Sequence, residues 1–139
     1  MIVVDSNVVA YYCINGAFTA TAQQVWEKDA DWHVPLLWRS ELRSILTGYL
    51  RDGTLNATQI ARIMSAAEEA CAGREHLVSS EKVFEIVAET SLSAYDAEFV
   101  ALANALAVPL VTADKVVLKA FPDRALTMEV FTGGDPSRR

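Results

Sequence analysis

The sequence predicts an α/β fold, a single three-layer α/β/α domain with a central parallel sheet flanked by helices. The chain has 139 residues, which is the usual length of one domain. Hydrophobic residues make up 52% of it, so it can bury a core. Short apolar runs, typical of buried parallel strands, alternate along the chain with longer stretches of helical periodicity. This alternation indicates strand–helix–strand units.

The first 51 residues carry patterns for two strands and three helices. The apolar run at residues 2–4 suits a strand buried on both faces, and residues 32–34 form a weaker strand pattern. Helices are expected at residues 8–14 and 19–29. In the segment 38–51 the apolar residues recur at the spacing of a helical turn, which predicts an amphipathic helix.

The remainder of the chain continues the alternation. Asn56 and Gln59 resemble a capping box that opens a helix, and Gly73 ends that helix. Two further helices, a third short one and three strand patterns follow. We expect strands at 76–78 and 109–112 and within 125–131, and helices at 80–90, 93–107 and 115–120.

The expected domain covers residues 1–132, and a flexible polar tail is expected at 133–139. The sequence has no apolar run approaching the ~18–20 residues that a membrane helix needs. Its first residues lack the basic region of a secretory signal. These features predict a cytoplasmic protein without membrane association.

The cysteines and histidines do not predict a zinc site. Cys13 and Cys71 lie in apolar surroundings, which favours two buried free thiols in a reducing compartment. His33 and His76 are not placed at zinc-finger spacing from either cysteine. The overall charge is acidic, with 12 Lys and Arg against 18 Asp and Glu, a net charge of −6. A broad basic face for nucleic acid is therefore excluded.

Two acids are predicted to lie at the ends of strands. Asp5 follows the first strand, and Asp114 follows the strand at 109–112, each at the turn into a helix. Taken alone, either could be an ordinary helix cap. In a parallel sheet, however, both strand ends lie on one edge, where ligands bind. If the two strands are neighbours, the carboxylates approach each other, which is unfavourable unless a cation joins them.

Two further acids lie on helix faces that should face inward. Asp96 shares an apolar helix face with Phe99, although it could also complete a capping box with Ser93. Glu41 borders the apolar stripe of its helix in the first turn, where it could equally be a surface acid favoured by the helix dipole. Four carboxylates without cysteine or paired histidine select Mg²⁺ or Mn²⁺ over Zn²⁺. The candidate ligands are Asp5, Glu41, Asp96 and Asp114.

A family resemblance is carried by four segments in order along the chain. They are Ile2-Val-Val-Asp5-Ser-Asn7-Val8, Arg39-Ser-Glu41-Leu42, Tyr95-Asp96-Ala97-Glu98-Phe99-Val100-Ala101-Leu102-Ala103 and Leu110-Val111-Thr112-Ala113-Asp114. With these segments the chain resembles the PIN-domain family over essentially its whole length. It is most similar to the VapC-type toxin ribonucleases of toxin–antitoxin systems.

The resemblance implies a PIN-like nuclease domain and a metal-dependent endoribonuclease that leaves a 3′-hydroxyl and a 5′-phosphate. The implied cofactor is Mg²⁺, with Mn²⁺ as the other choice. The implied metal ligands are Asp5, Asp96 and Asp114, with Glu41 completing the catalytic set and Asn7 and Thr112 in supporting positions. Many relatives carry another acid shortly after the fourth. Residues 115–118 of this chain contain none, which puts a tightly held second metal in doubt.

The resemblance also implies partners. These are an RNA substrate, a cognate small DNA-binding antitoxin and a second copy of the chain in a homodimer. The candidate RNA contacts are Arg39, Arg43, Lys115 and Lys119, for which ordinary solvated surface charge is the alternative. Tyr11, Tyr12 and Phe18 could stack on RNA bases, but packing in the core or at an interface is the favoured interpretation.

Two other functions remain open from the sequence. The first is a non-catalytic PIN-fold module that binds RNA or an antitoxin, against which the four intact acids argue. The second is a haloacid-dehalogenase-like phosphatase with Asp5 as nucleophile, but that family needs an Asp at the position of Asn7. Without the four candidate acids, 14 acids stand against 12 bases, a balance of −2. RNA is therefore expected to bind poorly without metal, through a few basic residues near the acids.

Overall fold

The computed structural model describes residues 1–134, which form a five-stranded parallel sheet surrounded by eight helices. The strands are β1 (Ile2–Val4), β2 (Trp32–Pro35), β3 (Glu75–His76), β4 (Leu110–Val111) and β5 (Ala125–Leu126). The helices are α1 (Ser6–Cys13), α2 (Thr19–Lys28), α3 (Trp38–Arg51), α4 (Ala57–Ala70), α5 (Ser80–Glu89), α6 (Ala94–Leu106), α7 (Lys115–Ala120) and α8 (Met128–Phe131).

The strand order is β3-β2-β1-β4-β5, so β1 occupies the centre of the sheet. It pairs on one side with β2, where Val3 lies opposite His33, and on the other side with β4, where Val4 lies opposite Val111. The chain first extends the sheet in one direction from β1 and later in the other. The direction in which successive strands are added therefore reverses beside β1. In open parallel sheets a crevice forms at such a point, and we expect it between the carboxyl ends of β1 and β4.

The helices cover the sheet and bury its apolar side chains. Helix α6 packs against β1, β2 and β4, and α5 packs on α6. Helix α1 contacts α2, α3 and α4. The indole of Trp32 on β2 is fully buried and lies 5.2 Å from the Tyr12 ring and 5.1 Å from the Trp26 ring, centroid to centroid. This aromatic cluster joins α1 and α2 to the sheet and confirms core packing for Tyr12.

The predicted three-layer α/β/α class is confirmed. Helices α3 and α7 have the predicted bounds. The positive φ of Gly53 follows the end of α3, and Asp114 caps the start of α7. The capping box is also present: Asn56 accepts from the Gln59 amide, and the Gln59 side chain accepts from the Asn56 amide, both at 2.9 Å. Both cysteines are free thiols; Cys71 is buried as predicted, whereas Cys13 is only half-buried.

The last segment differs from the prediction. The strand pattern within 125–131 is a strand only at Ala125–Leu126, and a short helix follows at Met128–Phe131. The Thr127 hydroxyl accepts from the Val130 amide at 3.1 Å and starts that helix, which apolar periodicity alone did not reveal. Of the predicted tail, Gly133 and Gly134 donate their amides to carbonyls of α8, and residues 135–139 lie outside the described residues. Among residues 1–134, no helix combines the length and the apolarity needed to cross a membrane.

Candidate functional site

A cavity of about 330 Å³ opens at the carboxyl edge of the sheet, beside β1 and β4. The strand ends supply two of the acids that line it, and the first turns of α3 and α6 supply the other two. The structure thus brings together side chains from four separate segments of the chain. The predicted residues that line the cavity are Asp5, Asn7, Glu41, Asp96, Thr112 and Asp114.

Asp5 is held at the end of β1 by hydrogen bonds to both of its carboxylate oxygens. Its Oδ1 accepts from the Val8 amide at 3.0 Å, so the side chain caps α1. Its Oδ2 accepts a hydrogen bond from the Thr112 hydroxyl. Burial raises the pKa of Asp5 above its ordinary value, and these hydrogen bonds, which favour the charged form, oppose the rise.

Thr112 connects the two acids at the strand ends. Its hydroxyl donates to Asp5 and accepts from the Asp114 amide at 3.0 Å, and the residue is only 1% exposed. Asp114 in turn caps α7, because its Oδ1 accepts from the Val116 amide at 2.8 Å and the Val117 amide at 3.2 Å. Because the buried Thr112 hydroxyl both donates and accepts a hydrogen bond, it fixes the spacing between the two strand ends.

Glu41 is oriented by a residue that sequence reasoning missed. The Ser6 hydroxyl, buried at the start of α1, donates to Glu41 Oε1 at 2.8 Å. The pKa of Glu41 is raised, mainly by burial and further by the negative charges of Asp96, Asp5 and Glu98. Ser44, one helical turn after Glu41, also lines the cavity and was missed. Its i+3 spacing from Glu41 was the available signal.

Asp96 lies in the first turn of α6 and faces the cavity. Its backbone amide donates to the Ser93 hydroxyl at 3.1 Å, which caps the helix. Burial raises the pKa of Asp96, and the negative charge of Asp114 raises it further. Ser93 therefore caps the turn that carries this acid into the cavity, but the predicted capping box is not formed, because the Ser93 amide does not donate to the Asp96 side chain.

The cavity is acidic, and within the described part of the chain no Lys or Arg side chain lines it. The pKa values of Asp5, Glu41 and Asp96 are all raised, so the ionised acids are held at an energetic cost. Among residues 1–134, no group of three His, Cys, Asp or Glu side chains already has the geometry of a metal site. The all-oxygen donor set nevertheless suits a hard divalent cation. Binding one requires these carboxylates to turn toward a common point.

The four basic side chains predicted to contact RNA differ in their ion pairs and exposure. Arg39 is held by two acids: its guanidinium donates to Glu75 at 2.6 Å and to Glu68 at 2.5 Å. These pairs tie α3 to β3 and α4, and Arg39 does not line the cavity. Its position therefore gives no support to the predicted RNA contact. The side chains of Arg43, Lys115 and Lys119 are exposed, outside the lining of the cavity.

Comparisons with known proteins agree with this fold. The structure is similar to that of PAE2754 from Pyrobaculum aerophilum, with a TM-score of 0.76, 17% identity and coverage of 94% of this chain and 92% of that chain. It is also similar to a chain of a toxin–antitoxin complex from Klebsiella pneumoniae, with a TM-score of 0.67, 19% identity and coverage of 92% and 98%. At these identities the likeness shows the fold alone. No curated protein sequence matches the chain. A model of the PIN domain family matches residues 2–122, and the chain therefore belongs to that family.

Proposed function

We propose that this protein is a divalent-metal-dependent endoribonuclease and the toxin component of a type II toxin–antitoxin system. PIN domains are generally nucleases and usually use divalent metal ions. The observation that carries the proposal is the cavity: four carboxylates from four segments line it, and no cationic side chain of the described residues does. Acids gathered in this way suit a cation and the phosphate that the cation binds.

The chain's own residues divide the work in this proposal. Asp5, Asp96 and Asp114 would hold Mg²⁺ or Mn²⁺. The Thr112 hydroxyl, which donates to Asp5 and accepts from the Asp114 amide, fixes the spacing between two of them. The chemistry that a bound divalent cation supplies is activation of water and neutralisation of charge on the phosphate. Glu41 keeps one oxygen, Oε2, that does not bond to Ser6. Because its pKa is raised, this carboxylate is a better proton acceptor than an ordinary glutamate.

Three of the four basic residues predicted to contact RNA complete the proposed substrate surface. Arg43 follows Glu41 by two residues, and Lys115 and Lys119 lie on the helix that Asp114 caps. We assign them to the RNA backbone, where each neutralises a phosphate close to the acids. Arg39 is left out of this surface because Glu68 and Glu75 already hold it.

The partners are proposed from the same comparisons. The similar Klebsiella pneumoniae chain comes from a toxin–antitoxin complex. By analogy, a small DNA-binding antitoxin covers the cavity of this protein and blocks cleavage, and the toxin acts in the cytoplasm as a homodimer. The folded domain is proposed to cover residues 1–132.

Two assays test the proposal. The purified chain, free of antitoxin, is expected to cleave RNA from its host with Mg²⁺ or Mn²⁺ and to stop when EDTA is added. Induced expression is expected to arrest growth, whereas expression of Asp5→Ala is not. Absence of cleavage with both metals would instead favour a non-catalytic PIN module, and equal growth of the two strains would refute toxicity.

A further inference from the structure

A second cavity, of about 380 Å³, adjoins the acidic one. The two cavities share the side chains of Asn7 and Ile45, so they meet along one wall. The second cavity lies between α1, the loop that leads to α2, and the end of α3. Its aromatic lining consists of Tyr11, Phe18 and Tyr49. We refer to it as the aromatic cavity.

The rings of the aromatic cavity are available to a ligand. Tyr11 and Phe18 lie with ring centroids 4.9 Å apart and planes inclined at 44°. Phe18 is 49% exposed and Tyr49 is 36% exposed, although both are large apolar side chains that folding normally covers. Phe18 precedes α2 and packs against Tyr11, and this contact leaves about half of the Phe18 side chain uncovered.

The chemistry of the lining restricts what can bind. Among the described residues, no charged side chain lines this cavity, which argues against a phosphate or another ion as its occupant. Asn7 and Asn15 are exposed there and offer amide donors and acceptors. A flat group with apolar faces and a polar edge matches both features. An unpaired nucleobase is such a group, because it stacks on aromatic rings and forms hydrogen bonds along its edge.

The shared wall connects this cavity to the proposed chemistry. The negative charge of Asp5 contributes to the raised pKa of the Tyr11 hydroxyl, after burial, so Tyr11 lies within the electrostatic reach of the acidic cavity. We propose that the aromatic cavity binds the base of a nucleotide next to the cleaved phosphate, with Phe18 and Tyr49 as stacking residues. This assignment rests on the proposed ribonuclease function and restricts the substrate to single-stranded RNA at the cleavage site.

The test compares one exposed phenylalanine with another. Kinetics are measured with a synthetic oligonucleotide that spans a site mapped from cleaved host RNA. Phe18→Ala is expected to raise KM about 5- to 140-fold, the range for loss of one stacked base, and Phe18→Trp to restore it. The matched control is Phe84→Ala, because Phe84 is 65% exposed and lies on α5, outside both cavities; its KM is expected to stay unchanged.

An abasic oligonucleotide makes the test specific for stacking. Removal of the base beside the cleaved phosphate is expected to raise the KM of the wild type at least as much as Phe18→Ala does. In the Phe18→Ala protein the same removal is expected to raise KM by a smaller factor than in the wild type, because one of the two stacking residues is already gone. If the factors by which Phe18→Ala and base removal raise KM simply multiplied in the combination, the proposal would be overturned. Equal KM values for Phe18→Ala and Phe84→Ala would also overturn it. Thermal unfolding of each variant establishes that it is folded.

A binding measurement separates this proposal from the ribonuclease proposal. If the wild type cleaves no RNA, the proposed function fails, and the affinity for a labelled single-stranded RNA oligonucleotide of mixed sequence is then measured by fluorescence anisotropy. Weaker binding by Phe18→Ala than by Phe84→Ala would still support a base site. Equal binding by the two variants, or no binding by the wild type, would overturn it.

Discussion

Two groups of acids, near different parts of the same sheet, have opposite surroundings. The cavity acids lie at the carboxyl ends of β1 and β4, and the pKa values of Asp5, Glu41 and Asp96 are raised. The edge acids lie around β2 and β3, and each has a cationic partner. They are Asp29, Asp31, Glu68 and Glu75, paired with the N-terminal amino group, Arg39 or Arg74.

The edge acids show how hydrogen-bond and ionic partners within the chain lower the pKa of a carboxylate. Hydrogen bonding from the Arg39 guanidinium lowers the pKa of Glu75, and the buried Trp38 indole also donates to Glu75, at 2.6 Å. For Asp31, desolvation raises the pKa, but hydrogen bonds from His33 and Arg74 outweigh it and the net shift is downward. Asp31 and Glu75 are therefore stabilised as anions at the edge, whereas the three cavity acids with raised pKa values are destabilised as anions. A cation from outside the chain would make the two groups alike.

The largest expected effect is on RNA cleavage. Asp96→Asn keeps the size of the side chain but removes a proposed metal ligand, so the rate is expected to fall by about 100-fold or more. The control is Asp31→Asn, which removes an edge acid and is expected to cleave RNA at the wild-type rate. Rates are measured on the same labelled oligonucleotide. Cleavage by Asp96→Asn within a few-fold of wild type would remove the functional distinction between the two groups.

The second effect is stabilisation by the metal. Mn²⁺ at about 100 times its dissociation constant is expected to add about 2.7 kcal/mol to the free energy of unfolding, because it binds the folded state alone. Asp96→Asn is expected to lose most of this gain, and Glu75→Gln is expected to keep it. Urea unfolding with Mn²⁺ and with EDTA measures the difference. Identical curves for the wild type under the two conditions would show that the cavity acids bind no such ion.

The third effect concerns the stability of the edge. Glu75→Ala is expected to lower the free energy of unfolding by about 2 kcal/mol, because it leaves the buried Trp38 indole N–H without its acceptor. Glu69→Ala, at an exposed position on α4, is the control and is expected to have little effect. Urea unfolding measures both. A Glu75→Ala protein as stable as the control would mean that the edge pairs contribute nothing to the fold.

The smallest expected effect is on the pH dependence of the free energy of unfolding, measured in EDTA. The pKa of Asp96 is raised in the folded state, so ionisation destabilises the fold, and Asp96→Asn is expected to be more stable than wild type at neutral pH. That advantage is lost as pH falls through the raised pKa toward the ordinary value of 3.8. The pKa of Glu75 is lowered, so Glu75→Gln is expected to be less stable above the ordinary value of 4.5. That deficit shrinks as pH falls through the lowered pKa. Differences of the same sign for the two variants would contradict the comparison.

Local signals in the sequence predicted much of the fold and the acids of the candidate site. Asp5 and Asp114 are recognisable because each follows an apolar run and precedes a helix, and parallel topology then places both on one edge. Helix α3 is recognisable because its apolar stripe begins at Trp38 and ends before Gly53. These inferences need only spacing and the rules of helix and strand geometry.

Pairings between distant residues could not be predicted in this way. Ser6 contacts Glu41, 35 residues away, and Arg39 contacts Glu68 and Glu75, 29 and 36 residues away. Each pairing depends on how α3 docks against α1, α4 and β3, which periodicity does not specify. The helix α8 was missed for a different reason. It is four residues long, too short to show a helical period, and only the cap at Thr127 marks it.

The two strand-end acids also begin helices, and this second role bears on how an inactive form of the protein could arise. Asparagine caps a helix about as well as aspartate does. Exchange of one carboxylate oxygen for an amide nitrogen at Asp5 or Asp114 would therefore remove a charge and keep the start of α1 or α7. A single nucleotide change converts an aspartate codon into an asparagine codon. A folded copy that lacks the proposed cleavage activity is thus one mutation away at either position.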